Sequence, residues 1–131
     1  MKLLLDTHIW IWSFLEPERI APRVAKALEE PANEKWLSPI SIWELTVLVR
    51  KRRVTLNTAV EEWIGQAMKA TPLQEALLTR EVALAADSIH LSHRDPADAF
   101  LVATAKVFEL TLVTADARLL AAKGISHLPN R

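Results

Sequence analysis

The chain has no cysteine, no net charge and no apolar run long enough to cross a membrane. The lack of cysteine excludes disulfide bonds, thiolate catalysis and cysteine-ligated zinc, and it suits a reducing compartment. Because 16 basic residues balance 16 acidic ones, no overall cationic field indicates a nucleic-acid or membrane partner, and any electrostatic site must be local. The start "MKLLLDTHIWIW" fits neither a signal peptide nor a membrane span. We expect a cytoplasmic protein.

Short apolar runs alternate with helical patterns along the chain. Half of the 131 residues are apolar, which predicts a single domain over residues 1–131 with a buried core. Strands are predicted at "LLL", "KWLS" and "LTLVT", with weaker candidates at "LQEALL" and "ISHL". Helices are predicted in the segments after them, at residues 22–30, 41–51, 57–69 behind an Asn cap, 79–89, 95–108 and 116–124. The alternation predicts an α/β fold with a parallel sheet.

Acidic and hydroxyl side chains mark several of the predicted helix starts: Asp6, Ser41, Glu44, Asp95, Asp98 and Asp116. Asp6 and Asp116 each follow a strand run and could cap the next helix. Ser41 with Glu44 has the spacing of a capping box, and an Asp cap precedes Asp98 by three residues. Taken singly, each acid is explained most simply as a helix cap.

Taken together, the acids indicate a shared site. Parallel strands end at the same sheet edge, so Asp6 and Asp116 should be neighbours there. Glu44 is the only charge between Ile40 and Val49, and an unpaired carboxylate in apolar surroundings costs several kcal/mol or shifts its pKa. Two carboxylates about 5 Å apart repel by roughly 3 kcal/mol at an effective dielectric near 20, so converging acids need a cation among them.

The chemistry of such a site follows from its ligands. Oxygen ligands without cysteine or a histidine pair favour a hard ion, Mg²⁺ or Mn²⁺, over zinc. These ions contact phosphates and activate water, which indicates hydrolysis of phosphodiester bonds.

Four stretches, "LLLDTH", "SPISIWEL", "HRDPADAFLVATA" and "LTLVTAD", resemble in their order and spacing the PIN-domain family, and within it the VapC toxins of VapBC toxin-antitoxin modules. The resemblance covers residue 1 to about residue 120. It implies a three-layer α/β/α fold with a central parallel sheet of about four or five strands. It also implies a Mg²⁺- or Mn²⁺-dependent endoribonuclease that hydrolyses RNA with a metal-activated water, forms a homodimer and is held in check by a VapB antitoxin.

The resemblance assigns roles to particular residues. It implies that the metal-binding and catalytic quartet consists of Asp6, Glu44, Asp98 and Asp116. Asp95 is then a cap or an outer partner, and Thr114 orients a ligand or the attacking water. One departure is Ala99, directly after Asp98, where close relatives usually carry Arg, so the role of that Arg is not carried over.

Three further features have more than one interpretation. The basic residues Arg50, Lys51, Arg52 and Arg53 favour a solvated helix end over contacts with RNA phosphates. His8 and His93 favour ordinary surface or hydrogen-bonding roles over metal ligation. Trp10 and Trp12 favour core packing, with a partner groove as the alternative.

Two other functions compete with the nuclease. A non-catalytic PIN-like module would bind RNA or a protein partner without using the acids. A phosphatase of the haloacid-dehalogenase type needs a second Asp two residues after its nucleophile, and His8 occupies that position here. We therefore disfavour the phosphatase.

Overall fold

The computed structural model describes residues 1–93 and 95–131. Arg94, which belongs to the "HRDPADAFLVATA" stretch, lies outside the described residues. The strands are β1 (Lys2–Leu5), β2 (Glu34–Leu37), β3 (Gln74–Glu75), β4 (Thr111–Thr114) and β5 (Ser126–Pro129). The helices are α1 (Thr7–Leu15), α2 (Pro22–Glu29), α3 (Pro39–Arg50), α4 (Val60–Ala70), α5 (Arg80–Asp87), α6 (Pro96–Val107) and α7 (Ala117–Leu120), with a 3₁₀ turn at Pro17–Arg19.

The five strands form one parallel sheet in the order β3-β2-β1-β4-β5. The central strand β1 pairs with β2 on one side and β4 on the other, so that Leu4 lies between Trp36 and Leu112. This confirms the predicted α/β fold with a central parallel sheet, including both weaker strand candidates. It also brings the carboxyl ends of β1 and β4 side by side.

The two faces of the sheet explain why the inner positions of β1 and β4, residues 3–5 and 112–113, are uninterrupted apolar runs. Leu3 and Leu5 belong to a buried cluster built with α1 to α4, whereas Leu4 belongs to a second cluster built with α6 and α7. On β4, Val113 and Leu112 divide between the two clusters in the same way. Successive side chains of a strand point to opposite faces, and helices cover both, so every position must be apolar. The fold thus has three layers.

Several helix boundaries differ from the predicted ones. Helix α3 begins at Pro39, and the Ser38 hydroxyl accepts a hydrogen bond from the Ile40 N–H at 3.1 Å. The predicted capping box of Ser41 and Glu44 is therefore wrong, because both residues lie inside the helix and are free to face a neighbouring element. Helix α4 begins after Ala59, so the predicted Asn cap is wrong as well.

Helix length bears on the expectation about membranes. The longest helices, α3 and α6, contain 12 residues each. Within residues 1–93 and 95–131, no helix is both long and apolar enough to span a bilayer.

Leu112 tests the three-layer core. Its side chain on β4 is 0% exposed, and removing it would leave a cavity between the sheet and α6. We expect Leu112→Ala to lower the free energy of unfolding by about 2–5 kcal/mol in urea denaturation. The matched control is Leu84→Ala on α5, where the side chain is 70% exposed. The control should change stability by less than about 0.5 kcal/mol. Equal effects of the two substitutions would contradict this packing.

Candidate active site

The acids predicted from the sequence line one cavity at the carboxyl edge of the sheet. Its volume is about 300 Å³, and we call it the acidic cavity; its lining residues are Asp6, His8, Trp12, Glu44, Asp95, Asp98, Ala115, Asp116 and Arg118. Strands β1 and β4 deliver Asp6 and Asp116, while α3 and α6 deliver Glu44 and Asp98. Four separate parts of the chain thus place a carboxylate in the same space.

Asp6 is held in one orientation by bonds to both carboxylate oxygens. One oxygen accepts from the Thr7 N–H at 2.8 Å, which caps α1, and the other accepts from the Thr114 hydroxyl at 2.7 Å. Thr114 also accepts from the Asp116 N–H at 3.0 Å. Burial raises the pKa of Asp6, the bond from Thr114 opposes that rise, and the charge of Asp98 adds to it. The cap and the site are therefore compatible roles for one carboxylate.

Glu44 points from α3 toward the start of α1. The Thr7 hydroxyl donates to Glu44 Oε1 at 2.6 Å and lies 2.8 Å from the Ser41 hydroxyl. Burial is the largest cause of a rise in the pKa of Glu44 from 4.5 to about 7. The bond from Thr7 lowers this pKa, and the charges of Asp6 and Asp98 raise it. A polar chain of two hydroxyls thus replaces the capping role predicted for Ser41 and Glu44.

Asp98 lies in the first turn of α6 and pairs with a histidine. His93 Nε2 and Asp98 Oδ2 are 2.6 Å apart. Burial raises the pKa of Asp98, and the hydrogen bond to His93 opposes the rise. Asp95 caps the helix, since its Oδ1 accepts from the N–H groups of Ala97 and Asp98 at 3.0 and 3.4 Å. Within the described residues, potential ligand atoms of His93, Asp95 and Asp98 lie within 4.8 Å of one another.

Asp116 differs from the other three acids because it already has a cationic partner. Its Oδ1 accepts from the Arg118 N–H at 2.8 Å and from Nε at 3.2 Å, and its Oδ2 accepts from Nη2 at 3.0 Å. These hydrogen bonds lower the pKa of Asp116. Arg118 is exposed, so water screens the pair and its side chain can leave without opening the core.

The basic stretch that ends α3 does not join the acids. Arg50, Lys51 and Arg52 are exposed and are not among the residues that line the acidic cavity. Arg53 lines a neighbouring cavity that also contains His8 and Trp12. Trp10 is 1% exposed and packs on Trp63 in the core, with ring centroids 5.6 Å apart.

Sequence reasoning missed two residues that bond to the acids, Thr7 and Arg118. Thr7 and Arg118 lie within two positions of Asp6 and Asp116, so proximity along the chain is a signal that could have found them. His93 has the hydrogen-bonding role that the sequence favoured, with Asp98 as its partner. Ser41, predicted as a helix cap, bonds instead to Thr7 on another helix, a contact for which the sequence has no local signal.

Comparisons with known proteins identify the family to which the chain belongs. The model of the PIN domain family matches residues 3–125. Ribonuclease VapC22 of Mycobacterium tuberculosis is 35% identical over 118 residues, which cover 89% of this chain and 88% of that protein.

Solved structures share the fold. The VapBC2 structure from Rickettsia felis, bound to a DNA fragment from its promoter, has a TM-score of 0.71 at 15% identity and covers 98% of both chains. A toxin-antitoxin complex from Klebsiella pneumoniae has a TM-score of 0.67 at 21% identity, with 98% of both chains covered. The family match and the mycobacterial relative together lead to one conclusion: the chain belongs to the PIN domain family, among its VapC-like members.

Proposed function

We propose that this protein is a Mg²⁺- or Mn²⁺-dependent endoribonuclease and the toxin of a type II toxin-antitoxin pair. The observation that carries the proposal is the acidic cavity, where burial and mutual repulsion raise the pKa of Asp6, Glu44 and Asp98. Side chains that repel one another in a shared space are stabilised when a cation binds between them. The relative named Ribonuclease VapC22 supports RNA as the substrate.

The donor set fits a hard divalent cation. The quartet of Asp6, Glu44, Asp98 and Asp116 offers carboxylate oxygens only, which Mg²⁺ and Mn²⁺ prefer. A cavity of about 300 Å³ leaves space for an ion beside a phosphate group. When bound, the cation supplies positive charge to the phosphate oxygens and lowers the pKa of the attacking water.

The protein's own side chains orient the reaction. The Thr7 N–H and the Thr114 hydroxyl hold the Asp6 carboxylate, and His93 holds Asp98. Glu44 lines the same cavity, where its carboxylate can hold the cation or position the attacking water. Its Oε1 accepts from Thr7, and this bond aims the carboxylate into the cavity.

The proposed partners follow from the relatives. The similar structures from Rickettsia felis and Klebsiella pneumoniae are toxin-antitoxin assemblies. We infer that this chain likewise has a VapB-type antitoxin, and a homodimer stays a prediction.

Removing one acid tests the nuclease. Losing an outer partner of a metal ligand lowers activity by up to about 100-fold. Because Asp6 is a proposed ligand itself, we expect Asp6→Asn to lower the rate of RNA cleavage by more than this. Asn keeps one oxygen that can cap α1, and its amide NH2 can donate to the Thr114 hydroxyl where Asp6 accepts from it, so the fold should persist. Cleavage is measured on total RNA with mapping of the new ends. The matched control is Asp87→Asn, an exposed acid outside the cavity. Cleavage by Asp6→Asn at the wild-type rate would show that the quartet does not catalyse the reaction. Absence of cleavage by the wild type would favour a non-catalytic module.

Metal binding should stabilise the folded protein. A ligand that binds only the native state raises the free energy of unfolding by about 2.7 kcal/mol at 100 times its dissociation constant. We expect Mn²⁺ or Mg²⁺ to raise the melting temperature of the wild type and to have a much smaller effect on Asp6→Asn. NaCl at equal ionic strength is the control for screening. A melting temperature that does not respond to either ion would argue against a preformed site.

Protons and metal should compete for the same carboxylates. The folded-state pKa of Glu44 is raised from 4.5 to about 7, so between these values the native state holds a proton that the unfolded chain has released. In EDTA, we expect stability to fall as the pH rises from about 4.5 to 7, and burial of Asp6 and Asp98 acts in the same direction.

Urea denaturation across this pH range measures the effect. Glu44→Gln should decline less steeply than the wild type, and Mg²⁺ should oppose the decline near neutral pH. Identical pH profiles for the wild type and Glu44→Gln would show that Glu44 titrates as it does in the unfolded chain.

A further inference from the structure

Trp12 stands between two cavities. It lines the acidic cavity, and together with His8 it also lines a second cavity of about 570 Å³ between α1 and the end of α3. We call this the α1–α3 cavity; its other lining residues are Ile11, Leu15, Glu16, Arg19, Leu48, Arg53, Val54 and Thr55. An RNA strand that leaves the acidic cavity past Trp12 would therefore enter a space large enough for a small ligand.

The surroundings of Trp12 differ from those of the other aromatic residues of α1. Trp10 is buried against Trp63, whereas Trp12 is half-buried. The Arg19 guanidinium carbon lies 4.0 Å from the Trp12 ring centroid, and the Arg19 side chain is 52% exposed. The His8 ring centroid lies 5.6 Å from that of Trp12. A flat aromatic ring and a flat cation thus meet in the α1–α3 cavity, on the residue that this cavity shares with the acidic cavity.

The charges of the two cavities are opposite in sign. The acidic cavity contains the carboxylate quartet, while Arg19 and Arg53 line the α1–α3 cavity with Glu16 as its one acid. Arg19 and Glu16 form an ion pair at 3.4 Å. The guanidinium of Arg19 stays accessible because its side chain is 52% exposed. Within the acidic cavity the arginine, Arg118, is paired with Asp116. Arg19 and Arg53 instead offer cations to an RNA phosphate beyond Trp12.

We propose that Trp12 and Arg19 form a stacking platform for one unpaired base of the RNA, next to the bond that is cut, and that Arg53 contacts the adjoining phosphate. This inference rests on the proposed function, since it names where the substrate of that same site continues. Proteins bind single-stranded RNA by stacking bases on aromatic rings and guanidinium planes. Bases in a duplex are already stacked, so the platform selects single-stranded RNA.

RNA binding in the absence of cleavage tests the platform. The probe is a fluorescein-labelled single-stranded RNA 12-mer of random sequence, and its anisotropy is measured with the full chain carrying Asp6→Asn. In this background, Trp12→Ala should weaken binding by about 5- to 150-fold, the range for losing one base stack. Trp12→Phe, which keeps a ring, should weaken it less. A duplex of the same length should bind more weakly and should not respond to Trp12→Ala.

Arg19 provides a second test that does not depend on the core. Because Trp12 also packs against the buried cluster of α1, its truncation can lower stability, so melting temperatures are measured for each variant. Arg19 is half-exposed, and Arg19→Ala should keep the fold while it weakens RNA binding. Arg19→Lys keeps the charge without the plane and should restore only part of the affinity. The matched control is Arg80→Ala, an exposed arginine at the start of α5, which should bind like the parent.

Kinetics separate the platform from the chemistry. With Asp6 intact, Arg19→Ala and Trp12→Phe should raise KM for the same single-stranded RNA more than they lower kcat, because they remove binding outside the reacting group. Failure of the proposed function would look different: the wild type would cut no RNA with Mg²⁺ or Mn²⁺. That result would not depend on what the Trp12 variants bind.

Two results would overturn the platform. One is unchanged RNA binding by Arg19→Ala and by folded Trp12→Ala, even if Asp6→Asn abolishes cleavage. The other is loss of binding to the antitoxin by these variants with RNA binding intact, which would assign the surface to a protein partner.

Discussion

Electrostatic repulsion among buried carboxylates is the constraint on which the site depends. In the parallel sheet, β1 and β4 end at the same edge, which brings Asp6 close to Asp116. Helices α3 and α6 add Glu44 and Asp98 to the same cavity. Three of these acids have a raised pKa because burial and neighbouring charge both disfavour the ionised form. The fold thus concentrates negative charge that the proposed divalent cation would neutralise.

Hydrogen bonds from uncharged groups orient the carboxylates without neutralising their charge. Thr7 and Thr114 donate to Glu44 and Asp6 from hydroxyl groups that carry no charge, so the carboxylates are oriented but their repulsion remains. Asp116 is the exception, because the exposed Arg118 lowers its pKa. The other three acids are therefore oriented for the proposed cation. Asp116 can exchange Arg118 for another partner, because this ion pair is open to solvent. Helix capping by Asp6 and Asp116 serves the same end, since a cap fixes the carboxylate that it uses.

The balanced net charge of the chain conceals a local separation of charge. The acidic cavity and the arginines of the α1–α3 cavity lie on either side of Trp12, and the zero net charge appears only in the sum over the whole chain. On the proposed path, an RNA strand would meet both signs of charge, with a metal ion at one end and guanidinium groups at the other. The net charge of the chain therefore says little about where a polyanion could bind.

The sequence by itself determined the layers and the edge at which the site forms. The apolar runs of β1 and β4 and the helical patterns between them predict a parallel sheet, and the rule that parallel strands end together predicts that Asp6 and Asp116 meet. Membership of Glu44 and Asp98 came from the resemblance to PIN-domain proteins. Only the tertiary structure decided what each acid contacts: the chain from Ser41 through Thr7 to Glu44, the pair of His93 and Asp98, and the place of Trp12 between two cavities. The reason is that local patterns report the period of a helix or strand, whereas these contacts depend on how separate elements pack, and no spacing along the chain encodes that geometry.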